Sequence, residues 1–348
     1  MAYTTINKSA DHFNTLLYSG NGSARTVTGV GFQPDFFWIK QRSSTQGHLL
    51  WDVIRGGNYY LPSSNTAASA ADIGTFTAAS DGYSFNTDGA YNGNSQTYVG
   101  WNWKANGAGS SNTDGDITST VSANTTSGFS IVKYTGNGSN DQRIGHGLGA
   151  RPVCWMIKRT DTAADWIVYH QGYASNWYDD SYMYLNENNA KMGADNTGTG
   201  NPTSSVFYIG NDARTGASGG EYIAYVFAEK QGFSKFGSYT GNGNADGTFV
   251  YTGFKPAFVI MKSFSNAVNW KLEDSKRNQP FNDGYGASIN ANDNSAEDNN
   301  TAYDIDILSN GFKQRNTNSN MNNNGYSYIY MAFGQSLVGS NDIPATAR

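Results

Sequence analysis

The sequence has one cysteine, few glutamates and no long apolar run, and each shortage excludes a class of protein. Because Cys154 is alone among 348 residues, the chain can form neither an internal disulfide nor a cysteine-based metal cluster. Glutamate, a good helix former, occurs five times, whereas aspartate, which favours turns, occurs 23 times. We therefore expect little helix, and we expect Cys154 to be a buried small hydrophobic residue.

The charge pattern and the lack of apolar runs argue against two kinds of partner. The formal net charge is −5 and the lysines and arginines are not clustered, so nothing would neutralise the phosphates of a nucleic acid. No apolar stretch approaches the roughly 18 residues of a membrane span, and the first residues lack the features of a signal peptide. We predict no nucleic-acid partner, no membrane span and synthesis in the cytoplasm.

Glycine and aromatic residues are abundant, at 41 residues and 14% respectively, and asparagine, serine and threonine fill the gaps between apolar segments. This composition suits turns and exposed strand faces, and it suits helices badly. We find no long segment with apolar residues at the helical spacing i, i+3, i+4 and i+7. The composition predicts an all-β fold.

One pattern occurs three times along the chain. Each copy opens on a tyrosine and a glycine-rich turn, continues with a proline and an apolar run ending in lysine, and closes on an aromatic strand. The turns lie at 18–22, 134–138 and 239–243, the lysine-terminated runs at 34–40, 152–158 and 256–262, and the closing strands at 98–103, 222–227 and 328–333. A catalytic site rarely needs three copies of one scaffold, so the repeat favours a binding or structural protein over an enzyme.

Each copy has the pattern of a layered β unit. The residues before each lysine are apolar without alternation, which is typical of a strand covered on both faces. Lys40, Lys158 and Lys262 are then expected where that strand reaches solvent. The closing strands do alternate, so one face of each belongs to a core. Two such layers facing each other make a β-sandwich.

The pattern predicts three tandem β-sandwich domains, of the jelly-roll or concanavalin A-like type, at residues 1–106, 107–231 and 232–348. A polar stretch at 106–116 has the composition of a linker. Only five residues join the second unit to the third. We therefore expect the second and third units to pack rigidly, with more freedom between the first and the second.

A tryptophan follows each lysine-terminated run, at Trp51, Trp166 and Trp270. The lysine-to-tryptophan spacing is 11, 8 and 8 residues, which predicts a longer hairpin in the first unit. Because the tryptophans recur at one place, we assign them to cores. Arg55 and Arg277 follow shortly afterwards, and we interpret them as partners of acidic residues at a domain or subunit contact.

Several segments carry a resemblance to a known group of proteins. They are GHGLGARP at 145–152, DITSTV at 116–121, GFSIVKY at 128–134 and KFGSYTGNG at 235–243. With the triple pattern, they resemble virion-associated tandem-repeat structural and fibre proteins of marine tailed bacteriophages, whose domains are of the concanavalin A-like lectin/glucanase type. The resemblance implies a location in the virion, other virion proteins as partners, and a homo-oligomer, most simply a trimer. It supplies no catalytic residue.

Two segments have the composition of a carbohydrate-binding surface, which combines exposed aromatic faces with polar side chains. The candidate ligand-binding residues are Tyr59, Tyr60, Trp177, Tyr178 and Asp180. The alternative is that these aromatic residues belong to cores or to cross-strand pairs, as most aromatic residues of β-sandwiches do.

We predict no catalytic residue. A glucanase-type enzyme needs two carboxylates on opposite sides of a cleft. The acidic pairs at 179–180, 273–274 and 297–298 are neighbours in sequence, and neighbouring side chains of a strand point to opposite faces. None of these pairs alone would form a catalytic site.

We also predict no metal ion and no cofactor. The four histidines, His12, His48, His146 and His170, lack metal-ligand spacing. The run at 290–300 is rich in oxygen donors, as calcium loops are, but it lacks the ordered spacing of such a loop. A solvated polar loop is the better interpretation of that run.

Together these expectations describe a non-enzymatic virion surface protein of a tailed bacteriophage, made in the host cytoplasm. It would be a fibre, tail-tip or head-surface component that adheres to glycans through many weak sites. One alternative is a capsid or tail decoration protein that binds no glycan. Another is a polysaccharide-cleaving glycosidase, which the acidic pattern disfavours.

Overall fold

The computed structural model describes residues 4–71, 76–86, 89–174, 176, 179–193, 197–198, 201–277 and 286–335. Strands dominate this part of the chain. Its helical segments are two 3-10 turns, Ser9–Asp11 and Thr301–Tyr303, and one short α-helix, α1 (Gly89–Asn92). The predicted all-β fold is confirmed.

The strands fall into three groups that follow one another along the chain. The first group comprises β1 (Phe13–Ser19), β2 (Arg25–Thr28), β3 (Phe36–Gln41), β4 (Leu49–Asp52), β5 (Tyr59–Tyr60), β6 (Ala70–Ala71), β7 (Phe76–Ala79), β8 (Gly82–Phe85) and β9 (Thr97–Trp103). The second comprises β10 (Ser110–Asn112), β11 (Ser119–Asn124), β12 (Phe129–Thr135), β13 (Gln142–Gly145), β14 (Cys154–Arg159), β15 (Ile167–His170), β16 (Met183–Tyr184), β17 (Val206–Ile209) and β18 (Glu221–Phe227). The third comprises β19 (Ser234–Thr240), β20 (Phe249–Tyr251), β21 (Pro256–Ser263), β22 (Lys271–Asp274), β23 (Gly286–Asn290), β24 (Asp298–Asn300), β25 (Ile305–Leu308), β26 (Gly311–Gln314) and β27 (Ser327–Gly334).

Four strands pair in the same antiparallel order in every group. The opening strand pairs with the closing strand, which pairs with the lysine-terminated strand, which pairs with the strand after it. The three orders are β1-β9-β3-β4, β12-β18-β14-β15 and β19-β27-β21-β22. We call the sheets that contain these strands the inner sheets. The domain boundaries at residues 106 and 231 stay a prediction.

A smaller antiparallel sheet packs on one face of each inner sheet, and we call these the outer sheets. They are β2-β8-β7, β13-β17 and β20-β26-β25. Each outer sheet encloses a local core with its inner sheet. In the first group, Phe76 and Tyr83 of the outer sheet pack with Phe37 and Ile39 of the inner sheet. The sandwich architecture is thus confirmed, whereas its concanavalin A-like type stays a prediction.

The other face of every inner sheet packs into one core shared by the three groups. This shared core receives the alternating faces of the closing strands, namely Val99, Trp101 and Trp103, Ile223, Tyr225 and Phe227, and Ile329, Met331 and Phe333. The predicted alternation of the closing strands is therefore confirmed, but their apolar faces pack against the other groups and not against the outer sheet of their own group. Phe333 illustrates this, since its ring lies 5.3 Å from Phe13 and 5.8 Å from Phe227.

The lysine-terminated strands are apolar throughout because both of their faces are covered, as predicted. In β3, Phe36 and Trp38 enter the shared core, whereas Phe37 and Ile39 enter the local core. The shared core also contradicts the freedom expected between the first and second units. Phe36 and Tyr225 of the second group have ring centroids only 4.2 Å apart.

The lysine that ends each of these strands is buried, so the prediction that it reaches solvent was wrong. Lys40, Lys158 and Lys262 are each 0% exposed. All three ammonium groups donate to main-chain carbonyl oxygens, those of Lys40 lying in its own group, whereas Lys158 and Lys262 also reach the preceding group. Lys158 bonds Thr66 at 3.1 Å, and Lys262 bonds Asn188 at 3.0 Å. The strand ends beneath a neighbouring loop, so burial continues where the apolar run stops.

The strand register corrects the predicted alignment of the tryptophans. Ile39 pairs with Leu49, just as Ile157 pairs with Ile167. The residues opposite the three lysines are therefore His48, Trp166 and Trp270. Trp51 lies further along β4 and stacks on Phe37 in the local core, at 4.9 Å. Counted to His48, the first hairpin has the same length as the others.

These three opposing residues join the groups into a closed ring. Each uses a ring N–H to bond a main-chain carbonyl of the preceding group, the third group preceding the first. The bonds run from Trp166 to Pro62 at 2.9 Å, from Trp270 to Tyr184 at 2.8 Å and from His48 to Asn290 at 2.9 Å. In His48 the Nδ1 atom accepts from Trp38 at 2.8 Å, so Nε2 is the protonated donor.

The interpretation of Arg55 and Arg277 as partners of acidic residues is confirmed. Each forms a buried ion pair with an aspartate three residues earlier, Asp52 or Asp274, at 2.5 Å. A neighbouring group then donates to each carboxylate: the Tyr225 hydroxyl to Asp52 at 2.8 Å, and the Trp101 indole to Asp274 at 3.0 Å. These ion pairs therefore lie where two groups meet.

We predict that Phe333→Ala destabilises the whole chain rather than the third group alone. Truncating a buried phenylalanine costs about 3–5 kcal/mol, and this ring contacts aromatic residues of all three groups. Thermal unfolding measured by calorimetry and denaturant unfolding measured by tryptophan fluorescence should each show a single transition, as in the wild-type protein, but at lower stability. The exposed Tyr251→Ala is the control, with a change within about 0.5 kcal/mol. A separate early transition would contradict the shared core.

We predict that stability increases as the pH rises from about 8 to 9.5. Burial lowers the pKa of Lys40 and Lys158 to about 8 and that of Lys262 to about 7. In this window the unfolded lysines, with a pKa near 10.5, keep their protons while the folded ones lose them. Since the unfolded state then binds more protons, the free energy of unfolding rises with pH.

The contribution of one lysine can be isolated with Lys262→Met. A titrating lysine contributes at most about 1.4 kcal/mol per pH unit, so this variant should show a shallower rise. Lys235→Met removes a half-buried lysine bonded to Glu229 at 2.7 Å and should leave the slope unchanged. Urea unfolding at pH 7.5, 8.5 and 9.5 measures both slopes, and a stability that falls over this range would refute the explanation.

Candidate ligand-binding cleft

A cleft of about 330 Å³ lies between the first and second groups. The first group contributes Arg55, Tyr59 and Ser69, and the second contributes Lys133, Thr160, Glu221, Tyr222 and Ile223. We call this the inter-group cleft. Its lining combines one exposed aromatic ring with charged and hydroxyl groups, which is the chemistry that holds polar ring-shaped ligands.

Main-chain bonds fix the two walls of the cleft. The amide of Ser69 donates to the carbonyl of Thr160 at 3.0 Å, joining the loop of the first group to the second group. Tyr59 is held by pairing with Ala71 in the small β5-β6 sheet. Its side chain is 47% exposed. The cleft therefore carries a tyrosine ring on a backbone that is itself restrained.

Arg55 provides a fixed positive charge. Its side chain is 5% exposed and pairs with Asp52 at 2.5 Å. Its Nη1 atom donates to the Ser69 hydroxyl at 3.2 Å, and its Nη2 atom donates to the Leu50 carbonyl at 2.9 Å. Burial alone would lower the pKa of Arg55, but Asp52 and Tyr225 outweigh burial and raise it. The guanidinium stays charged.

A second ion pair in the cleft is loose. Lys133 and Glu221 lie 3.5 Å apart, with side chains 41% and 51% exposed. Exposed pairs of this kind contribute about 0–1 kcal/mol, so either partner can exchange the other for a ligand. The Tyr222 hydroxyl, in contrast, already has a firm partner, because it donates to the Ala213 carbonyl at 2.9 Å. Burial raises the pKa of Tyr222, so that hydroxyl stays protonated.

The structure brings only part of the predicted site together. Tyr59 lines the inter-group cleft, but Tyr60 is half-buried and packs near Phe76, with ring centroids 6.4 Å apart. Asp180 is half-buried in the second group and is not among the described residues that line the cleft. Burial raises the pKa of Asp180. Trp177 and Tyr178 lie outside the described residues.

Sequence reasoning missed most of the residues that line the cleft. Lys133 and Glu221 lie near one another because β12 and β18 pair, with Thr135 opposite Glu221. That proximity follows from strand order, which the repeat pattern alone does not give. Arg55 and Ser69 join them because the first and second groups pack against each other, and no local sequence pattern encodes that packing.

A second exposed feature lies on the outer sheet of the third group. Phe249 and Tyr251 are 44% and 61% exposed, whereas Val250 between them is buried. Alternate residues of a strand share a face, so the two rings lie side by side on the outside of β20. Their exposure was not predicted from the sequence.

The oxygen-rich run at 290–300 lines a second cleft, of about 240 Å³, that does not favour a cation. The Lys271 ammonium faces the ring of Tyr303 at 3.5 Å in this cleft. The carboxylate of Glu297 is held by arginines. Within the described ranges, no group of three or more histidine, cysteine, aspartate or glutamate side chains is placed to hold a metal ion.

No helix in the described part of the chain is both long and apolar enough to cross a membrane.

Comparisons with known proteins identify a family. No curated protein and no solved structure is significantly similar to the chain. Residues 8–336 match a family described as a domain of unknown function, DUF7483, and this range takes in all three strand groups. The chain therefore belongs to the DUF7483 family.

Proposed function

We propose that this protein binds a glycan in the inter-group cleft and acts as a non-enzymatic adhesion protein. The single observation that carries the proposal is the exposed ring of Tyr59 in a cleft that is also lined by charged and hydroxyl side chains. Aromatic rings bind the apolar face of a sugar, while hydroxyl, carboxylate and cationic side chains bond its hydroxyl groups.

The dimensions of the cleft fit a short segment of polysaccharide. Ligand pockets commonly measure about 300–1,000 Å³, and this cleft lies at the lower end of that range. It is lined by hydroxyl groups of Ser69 and Thr160 beside the charged Lys133 and Glu221. These donors and acceptors can follow the hydroxyl pattern of a sugar ring.

The same lining favours binding over cleavage. Glycoside hydrolysis usually needs two carboxylates, about 5–9.5 Å apart across the bond to be broken. Among the described residues that line the inter-group cleft, Glu221 supplies the one carboxylate, and it is paired with Lys133. A bound glycan would be held there without a second acid to act on it.

The surface of a tailed-bacteriophage particle is the setting we propose for this adhesion. The triple sequence pattern and its resemblance to virion-associated repeat proteins support that setting. Other virion proteins would be its partners, and a homo-oligomer, most simply a trimer, would present several clefts at once. Many copies on one particle would convert weak individual binding into firm attachment.

A second candidate function is capsid or tail decoration without glycan binding. Phe249 and Tyr251 favour it, because two adjacent exposed aromatic rings suit a contact with another protein better than contact with water. Such a contact would attach this protein to the particle through the outer sheet of the third group.

We predict that Tyr59→Ala weakens glycan binding by about tenfold, since an aromatic contact contributes roughly 0.5–1.5 kcal/mol beyond its buried area. A glycan array should identify ligands of the wild-type protein, and calorimetric titration should compare the variants. Tyr251→Ala is the matched control, an exposed tyrosine on another surface that should leave glycan affinity unchanged.

Decoration makes the opposite prediction. The wild-type protein would then bind no glycan but would bind purified virions from which this protein is missing. If Tyr251→Ala abolishes that binding to virions, the outer-sheet contact is the functional one. Retained glycan affinity in Tyr59→Ala would likewise contradict the proposed cleft. Release of reducing ends from a bound polysaccharide would overturn the non-enzymatic assignment.

A further inference from the structure

We propose that the inter-group cleft selects a sugar that carries a carboxylate, such as a uronic acid. Arg55 and Lys133 would bind the carboxylate, and Tyr59 would contact the sugar ring. This inference rests on the proposed function, which it makes more specific. The three places where the strand groups meet share one main-chain contact but carry different side chains.

Those three junctions are equivalent in their main-chain bonding. At each one, an amide in the loop of one group donates to the carbonyl that lies two residues after the buried lysine of the next group. The bonds run from Ser69 to Thr160 at 3.0 Å, from Lys191 to Phe264 at 2.9 Å and from Glu297 to Arg42 at 2.9 Å. Side chains can therefore be compared position by position.

The junction between the third and first groups contains a carboxylate site. Glu297 bonds Arg42 through both carboxylate oxygens at 2.8 Å and Arg277 at 3.1 Å. The Glu297 side chain is 3% exposed. Burial would raise the pKa of Glu297, but the two arginines outweigh it and lower the pKa. This junction thus holds an ionised carboxylate supplied by the protein itself.

The junction between the second and third groups is filled differently. Phe264 occupies the position of Arg42, and its ring lies 6.2 Å from Tyr173. The ammonium of Lys191, at the position of Glu297, lies 5.6 Å from the same tyrosine ring. Large side chains occupy this junction, and no arginine corresponds to Arg277.

The junction between the first and second groups keeps the arginine but lacks the carboxylate. Arg55 corresponds to Arg277, since each pairs with an aspartate three residues earlier. Ser69 stands where the third group has Glu297, and Thr160 stands where the first group has Arg42. Because both side chains are short, the space that Glu297 and Arg42 fill elsewhere is part of an open cleft here.

The open cleft offers an incoming carboxylate two cations, as Glu297 has. Within the described ranges, the partner of Arg55 Nη1 is the neutral Ser69 hydroxyl, at 3.2 Å, where Arg277 Nη1 donates to a carboxylate. Lys133 provides the second charge, because its exposed pairing with Glu221 is weak enough to exchange. Because Arg55 Nε and Nη2 already donate to Asp52 and to the Leu50 carbonyl, Arg55 would bind the carboxylate through Nη1, as Arg277 binds Glu297.

The first test compares polygalacturonate with its carboxyl-reduced form, which has the same sugar chain without the charge. Wild-type protein should bind the acidic polymer at least about tenfold more tightly, and the preference should weaken with added salt. Lys133→Gln should lose most of the preference, and Lys133→Arg should retain it. Lys235→Gln, which removes a similarly paired lysine outside the cleft, is the matched control.

The second test places a carboxylate of the protein itself in the cleft by substitution. Ser69→Glu recreates the residue found at the equivalent junction, so it should pair with Arg55, fill the cleft and reduce polygalacturonate binding by at least about tenfold. Its thermal stability should not fall, which distinguishes a filled site from a misfolded one. Unchanged affinity in a stable Ser69→Glu protein would overturn the inference.

The outcomes separate this inference from the proposed function. Equal binding of the acidic and reduced polymers would refute carboxylate selection and leave glycan adhesion standing. Tighter binding of dextran sulfate than of any carboxylated polymer would reassign the site to sulfate esters. Absence of binding to every glycan tested would remove the proposed function and this inference together.

Discussion

The structure depends on the burial of three closing-strand faces against one another. Each inner sheet is apolar on both sides, so a sandwich with its own outer sheet covers only one of them. At about 25 cal/mol per Å² of apolar surface, faces rich in tryptophan and phenylalanine cannot remain in water. Packing the three groups around a common core is how the chain covers them, and the remaining contacts follow from that arrangement.

Contacts between neighbouring groups explain polar features, such as the buried lysines, that would be unfavourable in an isolated group. A buried lysine without a carboxylate costs desolvation energy, yet Lys262 is held by carbonyl oxygens of Val268 and of Asn188, a residue of the second group. The carbonyl groups that hold Lys158 and Lys262 belong in part to a neighbouring group. His48, Trp166 and Trp270 bond main-chain carbonyls of neighbouring groups. These directional bonds fix how each group is oriented relative to the next, which apolar packing alone does not determine.

The sequence was sufficient to predict the strands, their coverage on both faces and one cleft residue, Tyr59. These follow from local apolar patterns, which persist whatever the groups pack against. It was not sufficient for the burial of Lys40 or for the equivalence of His48 with the tryptophans. A lysine at the end of an apolar run has the same pattern whether water or a neighbouring loop lies beyond it. The remaining cleft residues come from two groups, so only tertiary packing brings Arg55 and Lys133 together.

The side chains at the three junctions indicate what the threefold repeat contributes to the structure. Tandem copies suggest several equivalent binding sites in one chain, but two of the three junctions are occupied by the protein's own side chains, Glu297 between arginines and Phe264 beside Tyr173. Repetition therefore serves closure of the ring, and small residues at one junction leave an open cleft. A ring that closes within one chain does not need a trimer for its stability. Avidity would then come from the number of chains on the particle rather than from the number of repeats in each chain.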